Sequence, residues 1–293
     1  MALAATRREE AVSTAVRDLL TRAGVSSPPV DLRRVAEAQG VARIEETDLG
    51  SLDGCLIPTA DGFVIKLNST MPERRRRFSL AHEIAHTLLR TAPAGCKHGD
   101  VSNRATISRP RSRHWEEWLC DMIAAEILMP RLSFRRWLSR TEASIRAIEV
   151  TATRFDVSVQ AAAVRFGQMV DATVEIICWK REKAILAPLW FSGSPQFRQY
   201  ATRDEMCRPL PCLESTPVRA LWSGALEISN SEAASPIANA PTFYCESKAF
   251  GTGHRRYVLS LVKQRLSPLE LQGRIVRARS SSADEHRSER KAP

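Results

Sequence analysis

The chain has 293 residues, 43% apolar and 26% charged. That composition excludes a largely disordered chain, a collagen-like repeat or a coiled-coil rod, and at ~150 residues per domain it suggests about two domains. Lysine and arginine total 43 against 33 acidic residues, a net charge of +10; such a surface suits nucleic acid, anionic membrane or acidic protein partners but specifies neither fold nor chemistry. Residues 1–12 lack the apolar core of a signal peptide, and no later stretch approaches ~18 consecutive apolar residues, so the expected protein is soluble, cytoplasmic and without a membrane partner. Seven cysteines, scattered and without a CxxC pair, fit a reducing compartment better than a disulfide framework.

In chain order, Thr6 and Glu9 form a capping-box pattern, and Val12, Ala15, Val16, Leu19 and Leu20 recur at helical spacing until Gly24. Asp31 is placed to cap a short helix carrying Leu32, Val35 and Ala36 that stops at Gly40. Residues 41–46, Cys55 to Ile57 and Phe63 to Leu67 read as strands, the last two as a hairpin about Asp61-Gly62, giving a small antiparallel sheet. A helix follows from Pro72 to about Arg90, then a loop rich in Pro, Gly, Ser and Arg to about Ser112, and a helix from Trp115 to Met129 that Pro130 ends. Residues 133–169 read as further helices, with Ser158 a cap between Phe155-Asp156-Val157 and the last of them, a helix-turn-helix-like pair whose second helix suits packing better than DNA reading. Thr173 to Trp179, Ala184 to Trp190 and Arg256 to Val262 suggest strands, and the polar segment after about Gly273 suggests a mobile tail. The run Arg74 to Arg77 reads as a solvated helix start.

Chemistry concentrates at His82-Glu83-Ile84-Ala85-His86, an HExxH pattern. Residues i and i+4 share one helical face, so both imidazoles can reach one metal ion with Glu83 beside an open coordination position. The surrounding Phe78, Leu80, Ala81, Ile84, Ala85, Leu88 and Leu89 make this an apolar helix, where two histidines and a glutamate need partners that a metal supplies. A third ligand is expected from Glu117, with Glu116 as its rival, while Asp121, at i+4 from Glu117, is placed to accept a hydrogen bond from a ligand imidazole. Cys120 between them reads as a buried free thiol. A donor to a developing oxyanion is wanted as well; His98, Arg113 and His114 lie in the intervening segment, and the role stays unassigned.

These residues resemble the ImmA/IrrE-type metallo-endopeptidases. Arg75 to His86 is similar to that family's RRF-(T/S)-LAHE-x-x-H helix, and Glu117 to Asp121 with Ala124 to Pro130 is similar to its E-x-x-x-(N/D)-x-x-AAELLMP helix. The likeness spans about residues 8–170, departing at Ala85, where glycine is common, and Ile123, where phenylalanine is common. It implies a zinc site, manganese being the alternative ion, of His82, His86 and Glu117, with Glu83 as general base and Asp121 behind the ligands. It also implies a protein substrate, typically a helix-turn-helix repressor. The expected architecture is α+β: a zincin-like peptidase domain with a small antiparallel sheet over 1–130, a helical, helix-turn-helix-like segment over 131–170, a mixed C-terminal domain loosely similar to GAF-type sensors over 171–272, and a basic tail over 273–293. The competing reading is a DNA-binding or scaffolding regulator with a structural metal, suggested by the net charge and the Phe155 to Ser158 turn.

Overall fold

The structure is a computed structural model that describes residues 2–91, 113–182, 185–194, 227–233 and 243–264. The chain divides into two compact units, residues 1–171 with 192–194 and residues 172–191 with 195–293. The tail expected after Gly273 and the loop carrying Cys96 and His98 lie outside the described residues.

In the first unit, α1 (Ala2–Arg22) buries Val12, Val16 and Leu19 along one stripe. It starts upstream of Thr6, so the capping-box pattern falls inside the helix. Asp31 caps α2 (Leu32–Glu37) as its sequence position predicts, its carboxylate accepting from the amides of Arg33 and Arg34. β1 (Val41–Thr47), β2 (Gly54–Thr59) and β3 (Gly62–Asn68) make a sheet in the order β1-β3-β2. The β2–β3 hairpin is antiparallel, but β1 pairs parallel to β3, so the sheet is mixed rather than wholly antiparallel. What permits this is a crossing of residues 48–53 over the end of β3, held by the buried Asn68, whose amide donates to the carbonyls of Gly50 and Leu52 at 3.0 and 2.8 Å. Alternation of apolar residues fixes which face is buried and leaves the choice of neighbour to such tertiary hydrogen bonds.

Helices α3 (Glu73–Thr91) and α4 (Arg113–Leu128) pack against each other, and α3 also lies on the hairpin. Leu80, Ala81, Ile84 and Ala85 of α3 and Leu119, Cys120, Ile123, Ala124 and Ile127 of α4 are buried. The small side chains among them let two helices approach closely. α5 (Arg131–Leu138), α6 (Ile145–Phe155) and α7 (Val159–Met169) complete the unit around Phe134, Phe155 and Phe166, none of which is exposed. Ser158 caps α7 by accepting from the amide of Ala161.

The arginine run is solvated only in part: Arg74 and Arg75 keep much of their side chains in solvent while Arg76 and Arg77 are largely covered, and all four have partners. Arg75 pairs with Asp53, Arg76 donates to the carbonyl of Met71 at 2.7 Å, and Arg77 donates to Asp156 Oδ2 at 2.9 Å and to the carbonyl of Val30 at 3.1 Å. Arg74 reaches the same Asp156 carboxylate at 3.4 Å. Asp156 sits in the left-handed region, φ 51°, between α6 and α7, so the first turn of α3 is tied to the α6–α7 corner and to the loops before α2 and β2.

The second unit contains a five-stranded sheet in the order β5-β4-β8-β7-β6, from β4 (Val174–Glu182), β5 (Ile185–Gly193), β6 (Glu227–Ala233), β7 (Phe243–Phe250) and β8 (Tyr257–Gln264). The sequence pattern does not mark β6 and β7, because polar residues interrupt the apolar alternation in both. Inside the sheet, Trp179 Nε1 donates to Ser260 Oγ at 3.0 Å, and that oxygen lies 2.7 Å from Ser247 Oγ.

Candidate metal centre

The HExxH segment lies mid-way along α3, where helical spacing puts His82 and His86 on the side facing α4. Their rings meet edge to face with centroids 5.0 Å apart. From α4, Glu117 Oε2 lies 3.1 Å from His82 Nε2 and 3.7 Å from His86 Nε2. One carboxylate oxygen therefore faces the same nitrogen of both imidazoles, on a side chain that is 48% exposed. Glu116, the rival, instead approaches Nδ1 of His86, at 3.6 Å.

The opposite ring edges are also occupied. Asp121 Oδ1 lies 2.9 Å from His82 Nδ1, as the i+4 spacing predicts. Cys120 Sγ lies 3.4 Å from His86 Nδ1, a contact that a buried, inert thiol does not require. A ring nitrogen of each histidine and the Cys120 sulfur fall within 4.8 Å of one another, which makes the thiol a second candidate third ligand. The pairing of ring edges favours Glu117: both Nε2 atoms face its oxygen, whereas the sulfur stands on the Nδ1 side of His86.

Electrostatics follow from this packing. Burial pushes the Glu83 carboxyl above its ordinary value, His82 opposes the shift and Glu117 adds to it; Glu83 is only 8% exposed. For His82, burial disfavours the cation, but hydrogen bonding and charge from Asp121, with Glu83 and Glu117, outweigh it and raise the pKa. Burial likewise drives the Cys120 thiol up, reinforced by Glu117, Glu116, Glu83 and Asp121. Two imidazole nitrogens converging on a carboxylate form a donor set of the His2Glu kind that suits zinc, so the residues present fit a divalent cation.

The Glu83 carboxyl lies against Gly54, the first residue of the edge strand β2. A Cβ there would sit 3.3 Å from Glu83 Oε1 and 3.2 Å from the Lys66 carbonyl oxygen. Sequence reasoning missed Gly54 because its role is space, which no local pattern encodes. Cys120 is the buried free thiol that its position suggests, while its contact with His86 carries no spacing signal in the sequence. The side chains of Arg113 and His114 and the whole of His98 lie outside the described residues, which leaves the oxyanion donor unassigned.

Residues 39–166 match the family model of the IrrE N-terminal-like domain. This segment is an IrrE N-terminal-like domain. The matched residues run from Gln39, just before β1, into α7 and contain every member of the site. The chain is 29% identical over 203 residues to the radiation response metalloprotease IrrE of Deinococcus radiodurans, covering 68% of this chain and 55% of that protein. It is 30% identical over 156 residues to the IrrE of Deinococcus deserti, covering 52% of each. The chain thus spans about half the length of these curated relatives. Among solved structures, a Mycobacterium tuberculosis transcriptional regulator superposes with a TM-score of 0.56 at 14% identity, over 86% of this chain and 76% of that one; that likeness concerns the fold alone. The α+β architecture with a zincin-like ImmA/IrrE domain stands on these observations.

Proposed function

We propose that this chain is a zinc-dependent endopeptidase that cleaves a cytoplasmic regulatory protein, a helix-turn-helix repressor being the substrate class. The observation that carries the proposal is the shared approach of both His Nε2 atoms to Glu117 Oε2, with Glu83 buried on the same helix. His82, His86 and Glu117 would hold the ion, and Asp121 would orient the His82 ring from behind. A bound zinc ion supplies Lewis acidity toward a peptide carbonyl and the attacking water. Glu83 would accept a proton from an attacking water at its carboxylate and pass it to the leaving amine, a task that a carboxyl with a raised pKa suits, because its proton affinity lies nearer neutrality. β2 is an edge strand, and Gly54 brings its backbone against Glu83. An extended substrate segment paired with that edge would present its backbone to the base.

The test is to mix the zinc-loaded chain with the repressor encoded nearest its gene and follow cleavage on a gel beside metal analysis. The expected result is about one zinc per chain and a discrete cut, with Glu83→Gln retaining zinc and losing the cut. Cleavage by Glu83→Gln at the wild-type rate would refute the mechanism. Specific DNA binding indifferent to Glu83→Gln, with no cleavage of that repressor, would favour a regulator with a structural metal.

A further inference from the structure

The two histidines of the site have different neighbours behind them. His82 is backed by the Asp121 carboxylate at 2.9 Å, whereas His86 Nδ1 meets Cys120 Sγ at 3.4 Å and Glu116 Oε1 at 3.6 Å. The carboxylate contact is too long for a nitrogen–oxygen hydrogen bond, and the Glu116 side chain is 53% exposed and able to turn into water. Cys120 has no such freedom, being fully buried in the α3–α4 packing. Its sulfur lies within the longer reach of hydrogen bonds to sulfur, a weak acceptor from an N–H.

We propose that Cys120 is a positioning residue that holds the His86 ring from its Nδ1 edge, so that Nε2 stays turned toward Glu117. The inference rests on the metal-centre reading above. Its geometric basis is the spacing on α4. Glu117, Cys120 and Asp121 occupy positions i, i+3 and i+4, one helical face, and meet histidines at i and i+4 of α3. A single turn of α4 therefore delivers the carboxylate that faces both Nε2 atoms and a separate anchor for each Nδ1. Were Cys120 instead a ligand, His86 would have to bind the ion through Nδ1, leaving the Nε2 edge that faces Glu117 outside the centre.

The test uses the full chain with cobalt(II) and zinc(II) as probes. Wild-type protein should bind one equivalent of cobalt without the intense near-ultraviolet sulfur-to-cobalt absorption of a thiolate ligand. Cys120→Ala should weaken zinc binding about tenfold, the lower end of what loss of an outer partner costs, and Cys120→Ser, which keeps an acceptor of similar size, should stay within about threefold of wild type. Long-range proton–nitrogen spectra of the zinc-loaded chain should show His86 protonated at Nδ1, with that resonance moved in Cys120→Ala while those of His82 stay in place. A sulfur-to-cobalt band in the wild type that Cys120→Ser abolishes would overturn the proposal by making Cys120 a ligand. Unchanged zinc affinity and an unchanged His86 signal in Cys120→Ala would overturn it by removing any role. The expected band-free cobalt spectrum is read on the wild type, so a misfolded mutant cannot obscure that outcome. Failure of the wild type to bind either ion would defeat the metal-centre reading itself, a different result from metal binding that is indifferent to Cys120.

Discussion

Replacing Glu126 by leucine should destabilise the first unit by about 4 kcal/mol, and the estimate follows from what its carboxylate holds. Glu126 is 5% exposed and pairs with Arg165 of α7, whose side chain is 11% exposed. Its other oxygen accepts from Ser13 Oγ of α1 at 2.9 Å and from the amide of Arg131 at 2.8 Å. That amide opens α5, whose own cap residue, Pro130, offers no side-chain acceptor, so Glu126 serves as the missing cap. Removing one partner of a buried ion pair costs about 3–5 kcal/mol, because the other charge is left without compensation. Arg165 would keep its bond to the Met129 carbonyl at 3.0 Å, a neutral acceptor that does not balance its charge, and its Nε already lacks an acceptor among the described residues. The double variant Glu126→Leu/Arg165→Met removes both charges, and the orphaned Arg131 amide should then dominate at about 1–3 kcal/mol. Hydrogen exchange in increasing urea, read on peptides from α4 and α7, reports this unit separately from the second. A single variant costing under about 1 kcal/mol, or a double variant no better than the single one, would refute the reasoning.

Further outcomes follow from the site. Asp121→Ala should lower zinc affinity about tenfold, the small end of the usual range because its side chain is 57% exposed; isothermal titration measures it. Gly54→Ala should leave zinc content intact and slow cleavage of a susceptible repressor about tenfold, since a Cβ 3.3 Å from Glu83 Oε1 displaces the base by a fraction of an ångström. In the metal-free chain the His82 pKa is raised above 6.5, so its contribution to stability is complete below that value and is lost as pH rises through the folded-state pKa. Urea midpoints should fall from about pH 6 to about pH 8, less so in Asp121→Asn. Zinc affinity should rise over the same interval, as the competing proton leaves His82.

The parts of this protein legible in its sequence are those with local physical causes. The Asp31 and Ser158 caps, the β2–β3 hairpin and the one-face placement of His82 and His86 follow from side-chain reach and backbone period, and each is in the fold where the pattern puts it. What sequence concealed is set by distant partners. β1 lies parallel to β3 because Asn68 holds the crossing residues over the strand end. Arg74 to Arg77 look like a solvated run until Asp53, Asp156 and Val30 are brought to them by tertiary packing. Glu117 and Glu116 are equivalent in composition and are separated only by which ring nitrogen each reaches.

Among the described residues, the donors and ring anchors named for the centre are carried by α3 and α4, which pack directly on each other. Residues 92–112 join these two helices in the sequence. A single peptide-bond nick there, or its exchange for an unrelated linker, is therefore expected to leave two fragments that co-purify and still retain stoichiometric zinc. The centre's integrity is a property of a helix pair rather than of an unbroken chain.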